Sequence, residues 1–370
     1  MAGLYIHIPF CKSRCVYCGF YSTTLLHDAW RYVGAVCKEI MLRKDYLDSP
    51  PETVYLGGGT PSLLSAAMLS KIFGCIDTCR AKEITIECNP DDITEEYAGT
   101  LSTLPINRVS LGVQTFCDSR LRFLRRRHTS AEVKKAVETL RAKGFGNISI
   151  DLMYGFPGET AEEWAEDIRQ AVALEPEHIS AYCLSFEEGT ALHSMLQNGR
   201  IKEIDEETSL EMYETLTDRL SAAGFEHYEI SNFARCGYRS RHNSGYWRSV
   251  PYLGIGAAAH SFNGDSRQWN VSDIIKYMDS IEQGRIPSET ETLDTATKYD
   301  DTVMLSLRTC EGIDLNSITQ KFGKEYADFC LSQAASYISN GLLQHSGNKL
   351  RLTRKGLFVS DMIMSDLMKV

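Results

Sequence analysis

The chain has no apolar run near the roughly 20 residues that a membrane-spanning helix needs. It has no excess of basic charge either. The net charge is −10, which argues against a general nucleic-acid or anionic-membrane binder. The N-terminal LYIHIPF is too short for a signal-peptide core. It carries a His and lacks both a basic flank and a small-residue cleavage site. No low-complexity stretch appears, and no internal repeat beyond a strand–helix rhythm. These absences leave a cytoplasmic globular protein as the expectation, with no nucleic acid and no membrane span among its partners. Its 370 residues, 43% hydrophobic and 24% charged, suffice for one large domain and a smaller one.

One further absence is more informative. Cys11, Cys15 and Cys18 stand in the spacing CxxxCxxC after an apolar strand candidate, and no fourth cysteine completes the set. A structural zinc site wants four ligands, and cubane iron–sulfur clusters are usually held by four cysteines. Three thiolates leave one iron of a 4Fe–4S cluster open to a small molecule. The alternatives are zinc with His7 as a fourth ligand, or three buried thiols with no metal. Lys12, Ser13 and Arg14 make the segment a polar loop, which disfavours the last. The other nine cysteines are scattered, and most read as small core residues.

Apolar strand candidates at 4–8, 53–59, 83–88, 108–114, 147–155 and 178–185 alternate with helical stretches at 28–47, 62–76, 130–144 and 160–174. Asp28, Ser62, Ser130 and Thr160 read as N-caps, and Gly144 as a helix stop. Six such units predict an α/β fold, an incomplete TIM-like (β/α)6 barrel whose chemistry gathers at the C-terminal strand ends. The unusual residues do fall there. The cysteines follow the first strand and GGGTP the second. Glu87 ends the third, Gln114 the fourth, and Asp151 lies in the fifth. The expected organisation is a partial barrel over 1–190 and a barrel extension over 191–292. A smaller C-terminal winged-helix-like α+β domain follows over 293–370, read as a packing or partner-binding unit because it lacks a basic stripe.

Read singly, these residues keep bland alternatives. Gly57, Gly58 and Gly59 remove side chains so that backbone can approach a ligand, with Thr60 adding a hydroxyl, but they also suit a tight turn. Arg126 could pair bidentately with a carboxylate, yet Arg125 and Arg127 beside it fit a solvated basic face. His242 could ligate iron or be a satisfied core histidine.

HIPFCKSRCVYC, with an aromatic before the third cysteine and GGGTP one strand later, resembles the cluster loop of radical S-adenosylmethionine (SAM) enzymes. In that superfamily SAM chelates the open iron and is cleaved to a radical. YIHIPFC, LGGGTPS, IECNP, SLGVQTF, RRHT and DLMYGFPGET together resemble the coproporphyrinogen III dehydrogenase (HemN) group along nearly the whole chain. The resemblance implies Cys11, Cys15 and Cys18 as cluster ligands. It implies Tyr5, Gly59, Thr60 and Glu87 at the cluster-bound SAM, with Tyr17 and Gly58 beside it. Gln114, Arg126 and Asp151 match contacts to a second SAM.

The dehydrogenases carry a further cysteine two residues past the third, where this chain has Cys18-Gly19-Phe20. They also carry an N-terminal extension, whereas this sequence opens almost directly on its first strand. His242-Asn243-Ser244-Gly245-Tyr246-Trp247 matches HNxxYW, which is similar to the motif of HemW-type heme chaperones. That resemblance implies heme as ligand through His242, aromatic surface from Tyr246 and Trp247, and apo-hemoprotein acceptors such as respiratory enzymes. An electron donor for the cluster is implied as well, and a homodimer is compatible with it. The expectation is a chaperone without dehydrogenase activity. The rivals are the dehydrogenase itself, or another radical enzyme acting on a tetrapyrrole. His260 is a second candidate heme ligand. In YLGIGAAAHSF, Ala257 and Ala258 replace a Pro-Gly of the family pattern, which puts that loop's geometry in question.

Overall fold

The structure is a computed structural model and describes residues 2–369. Six parallel strands form its centre: β1 (Gly3–Ile8), β2 (Thr53–Gly58), β3 (Glu83–Cys88), β4 (Arg108–Gln114), β5 (Ile148–Tyr154) and β6 (His178–Cys183). They pair in sequence order, with Leu4 beside Val54, Ile6 beside Leu56 and Ile150 beside Ile179. Helices Ala29–Leu42, Ala66–Phe73, Glu95–Ser102, Ser130–Ala142 and Ala161–Ala173 cover the outer face. Strand alternation explains why. Leu4, Ile6, Ile8, Val54, Leu56, Ile84, Ile86, Val109, Leu111, Ile148, Ile150 and Leu152 turn outward and are buried beneath these helices. The intervening residues turn inward and are largely polar: Tyr55, Thr85, Glu87, Arg108, Ser110, Ser149, Asp151 and Ser180. A closed barrel of this type fills its interior with aliphatic layers. This one keeps a polar lumen.

The sheet extends at both edges. β7 (Glu226–Glu229) and β8 (Asn232–Ala234) add antiparallel strands beyond β6. β9 (Tyr252–Ile255) runs parallel to β1, and β10 (His260–Phe262), β11 (Ser266–Asn270) and β12 (Ser288–Thr292) continue outward from it. The chain between β8 and β9 therefore crosses from one open edge to the other. It does so as the helix Arg241–Trp247, under the N-terminal ends of the strands. The Glu83 carboxylate accepts the backbone N–H groups of Arg241 and His242, both at 2.9 Å, at this helix's N-terminus.

A buried polar hub fixes the β9 edge. The Glu39 carboxylate accepts from Gly256 N (2.9 Å), Asn270 Nδ2 (2.8 Å) and Tyr277 Oη (2.7 Å). Arg43 donates to Gly254 O and to Gln268 Oε1. The expected helix over 28–47 ends at Leu42 because Arg43 turns inward to make these bonds. Two N-caps also move: Ser65 caps its helix where Ser62 was expected, and Thr129 replaces Ser130. Thr160 caps as expected, with Glu163 completing the box.

The reading of the scattered cysteines as core residues is overturned for most of them. Only Cys37, Cys88 and Cys330 of the nine are buried; Cys79, Cys183, Cys236 and Cys310 are exposed. Cys75 and Cys79 lie beyond the end of the helix at Phe73, so they do not share a helical face.

After β12, helices Thr295–Leu307, Leu315–Phe322 and Lys324–Ser339 pack with a three-stranded sheet of Ile313–Asp314, Lys349–Leu352 and Leu343–Ser346 around a separate core that includes Val303, Ile318 and Leu350. This is the expected winged-helix pattern of helices and hairpin. No helix among the described residues is long and apolar enough to cross a membrane.

The Ala258 loop carries the strain that its sequence suggested. Its φ is +61°, in the left-handed region that glycine enters without a Cβ penalty. Ala258→Gly is expected to stabilise the protein by about 0.5–1 kcal/mol, the relief of strain exceeding glycine's extra unfolded-state entropy. Equilibrium denaturant unfolding measures it, and equal or lower stability would refute the strain.

Candidate functional site

The polar lumen opens at the C-terminal strand ends into a cavity of about 740 Å³. The loop after β1 brings Cys11, Cys15, Tyr17 and Cys18 to its wall. β2 and the turn after it bring Gly58, Gly59 and Thr60. Glu87, Gln114 and Asp151 come from β3, β4 and β5, and Arg126 from the turn after the helix Asp118–Phe123. The structure thus brings together every expected cofactor-site residue except Tyr5 and His242.

The triple glycine has a packing reason. A Cβ on Gly58 would lie 2.5 Å from the His7 ring, and one on Gly59 would lie 2.8 Å from Phe10 O. The β2 turn is thereby pressed against the base of the cysteine loop. Gly58 N donates to Glu87 Oε2 at 3.0 Å, and Tyr55 Oη donates to Glu87 Oε1 at 2.7 Å. Burial, opposed by the Tyr55 hydrogen bond and reinforced by Asp151, pushes the Glu87 carboxyl up to about 7. Burial raises Asp151 too, although Ser110 Oγ donates to both its oxygens at 3.2–3.3 Å.

Arg126 ties the cysteine loop to the strands. Its Nη2 donates to Asn89 Oδ1 and Gly112 O, both at 2.6 Å, and its Nη1 lies 3.7 Å from Cys15 Sγ. Thr60 Oγ1 lies 3.7 Å from Cys11 Sγ. Of its neighbours, Arg125 is exposed, with φ +61°, and Arg127 pairs with Asp91 and Asp92. The donor set suits an iron–sulfur group: three sulfurs, two of them beside hydrogen-bond donors and one beside a cation that offsets thiolate charge. Among the described residues no three His, Cys, Asp or Glu side chains are already gathered around one metal-ion position. His7 offers no free nitrogen, because Nδ1 meets Tyr5 Oη and Nε2 meets Tyr21 O, each at 3.0 Å.

Tyr5 stands behind the wall, stacked on Tyr55 with its hydroxyl on His7. His242 lies at the opposite end of the barrel from the cysteines. It is 3% exposed and stacked on Tyr55. Its Nδ1 is 2.9 Å from Thr53 Oγ1, and its Nε2 is 2.7 Å from Tyr246 Oη. Burial, with the Arg108 charge, lowers its pKa to about 3. The cleft beside it holds only about 10 Å³. Asn243, its neighbour, does face the cavity. Trp247 turns away toward the C-terminal unit, with the Arg308 guanidinium 4.7 Å from its ring centroid. His260 is exposed on β10, stacked on Trp269. Sequence reasoning missed Asn89, Arg108, Ser110, Ser180 and Tyr182, all on the cavity wall. Strand alternation within RVSLGVQ was the available signal for Arg108 and Ser110.

Comparisons with known proteins agree with this fold. Residues 5–171 match the family model of the radical SAM superfamily, and residues 293–359 match that of the HemN C-terminal domain. The chain is 34% identical to the heme chaperone HemW of Bacillus subtilis, covering 96% of each protein. It is 30% identical to a mitochondrial radical S-adenosyl methionine domain-containing protein 1 of Bos taurus, covering 99% of this chain and 87% of that one. Among solved structures, coproporphyrinogen III oxidase (HemN) from Escherichia coli superposes with a TM-score of 0.85 at 24% identity, covering 100% of this chain and 90% of that one.

The raised Glu87 carboxyl has a measurable consequence. It takes up a proton on folding between its unfolded value and about 7, so its contribution to stability is lost as pH rises through that window. Glu87→Gln is expected to be more stable than wild type at pH 8, by at most about 3 kcal/mol, with the difference vanishing toward pH 4.5. A pH-independent difference in unfolding free energy would sink the assignment.

Proposed function

The chain belongs to the HemW family of radical SAM proteins, and from that premise we propose that it is a heme chaperone. It would carry a 4Fe–4S cluster on Cys11, Cys15 and Cys18, bind SAM and heme, and deliver heme to apo-hemoproteins such as respiratory enzymes. One observation carries the reading. The relatives named as heme chaperones match from end to end, through both the barrel and the C-terminal unit. The HemN superposition, at 24% identity, speaks for the fold alone.

The chain's own residues have definite tasks in this proposal. The cysteine loop would hold the cluster by three thiolates, which would leave one iron to SAM. Gly58, Gly59, Thr60 and Tyr17, which line the same cavity, would border the bound SAM. Glu87 accepts hydrogen bonds from ribose hydroxyls when ionised. Gln114, Arg126 and Asp151 extend the polar wall, where a second anionic ligand would meet the Arg126 guanidinium. Tyr5 supports the site from behind through His7. When bound, the cluster and SAM supply electron transfer and radical chemistry.

His242 is the proposed iron ligand for heme, in its neutral ligating form, which its lowered pKa maintains. Ligation requires Nε2 to exchange the Tyr246 hydroxyl for the metal, and therefore the floor helix to open.

The test begins with anaerobic reconstitution with iron and sulfide. Wild type is expected to gain charge-transfer absorbance, and Cys15→Ala to lose it. Heme is expected to bind without conversion of coproporphyrinogen III to protoporphyrinogen; conversion would make the protein a dehydrogenase. His242→Ala is expected to lose stable heme binding with the cluster retained. Tyr246→Phe frees Nε2 from one neutral hydrogen bond, about 1 kcal/mol, and is expected to tighten heme binding about fivefold. Unchanged affinity in both variants would leave His242 as a structural plug only.

A further inference from the structure

The barrel lumen holds a cation that none of these roles uses. Arg108, the first residue of β4, is 2% exposed, yet it reaches the cavity wall. Among the described residues its guanidinium has no hydrogen-bond or ion-pair partner, and its Nε is buried with none. Its field is felt at Glu87, Asp151, His178 and His242. Neither carboxylate closes on it. Glu87 is taken by Tyr55 and Gly58, and Asp151 by Ser110. A buried guanidinium with Asp151 and Glu87 near enough to be felt but no carboxylate in contact is incompletely compensated, and a ligand whose anion reaches it removes that cost.

The surroundings narrow the ligand. A guanidinium fork matches carboxylate or phosphate. Two carboxyl groups already face this lumen, so a singly charged carboxylate enters with less repulsion than a phosphate dianion. Tyr55, Met153 and Tyr182 on the same wall suit an organic body. Six residues of strand separate Arg108 from Gln114 at the cysteine end, about 20 Å of backbone. An acid whose carboxylate reaches Arg108 is therefore extended along the barrel axis.

We propose that Arg108 is the anchor for a ligand carboxylate inside the barrel. Building on the heme reading above, that carboxylate has two sources: a propionate of the tetrapyrrole, or the methionyl carboxylate of SAM. The depth of Arg108 favours the propionate.

The experiment titrates reconstituted protein with heme, with heme dimethyl ester, which lacks free carboxylates, and with SAM. Wild type, Arg108→Gln and Arg108→Lys are compared. Wild type is expected to bind the diacid at least tenfold more tightly than the diester. Arg108→Gln is expected to bring that ratio near one with diester affinity unchanged, and Arg108→Lys to fall between. A tenfold loss of SAM affinity in Arg108→Gln, with the heme ratio intact, supports the anchor and assigns it to SAM. No change in either ligand overturns it. Should Arg108→Gln not fold, Arg108→Lys decides: a weakened heme ratio or SAM affinity supports the anchor, and neither changing overturns it. Failure of wild type to bind heme in either form refutes the heme reading, and the SAM arm alone then decides the role of Arg108.

Discussion

The constraint on which this structure depends is an unclosed sheet. Six parallel strands curl without meeting, so β1 and β6 each have an outer edge that needs a further partner. Unpaired edges are managed by further pairing. Here β9 joins β1, and β8 joins β6. Because consecutive strands attach to opposite edges, the connection between them has to pass across the barrel. The Glu83 carboxylate, at the first residue of β3, captures two N–H groups of that connection and makes it a floor. The other end stays open, and the cysteine loop stands there.

That geometry divides the labour of the strands. Outward residues are aliphatic because helices cover them, and inward residues are polar because a ligand-sized space remains. Buried polar groups in such a lumen need partners. Tyr55 serves Glu87, Ser110 serves Asp151, and Asn89 with Gly112 holds Arg126. Arg126 keeps a buried Nε without a partner, and Arg108 has no hydrogen bond or ion-pair contact to any described side chain.

Much of this was legible in the sequence because strand–helix alternation is a local signal. The six central strands and the residues at their C-terminal ends follow from it. CxxxCxxC and GGGTP are likewise short-range motifs whose chemistry needs no tertiary information. Arg43 and Glu39 were not legible, since their partners lie more than two hundred residues away, around β9, β11 and Tyr277. The exposed cysteines were misread for a related reason. Composition says that cysteine is often buried, but Cys183 is the last residue of β6 and is exposed at the mouth of the cavity. The triple glycine was read as room for a ligand or as a tight turn. Gly58 and Gly59 do line the cavity. The missing side chains also make room for Tyr55 and Glu87 at Gly57, His7 at Gly58, and Ile8, Pro9 and Phe10 at Gly59, which no local signal showed.

The geometry of the HNSGYW segment differs from the simplest reading of its sequence. One short helix sends His242 into the floor, Asn243 into the lumen and Trp247 toward Arg308 of the C-terminal unit. It therefore touches the barrel and the C-terminal unit at once. Breaking the His242–Tyr246 hydrogen bond to free an iron ligand would also disturb the helix that carries Trp247. Under the proposed heme ligation, binding at the floor would therefore be mechanically linked to the packing of the C-terminal unit. The proposed chaperone role calls for such a link, because cargo held by a buried side chain would be released only when the structure covering it moves.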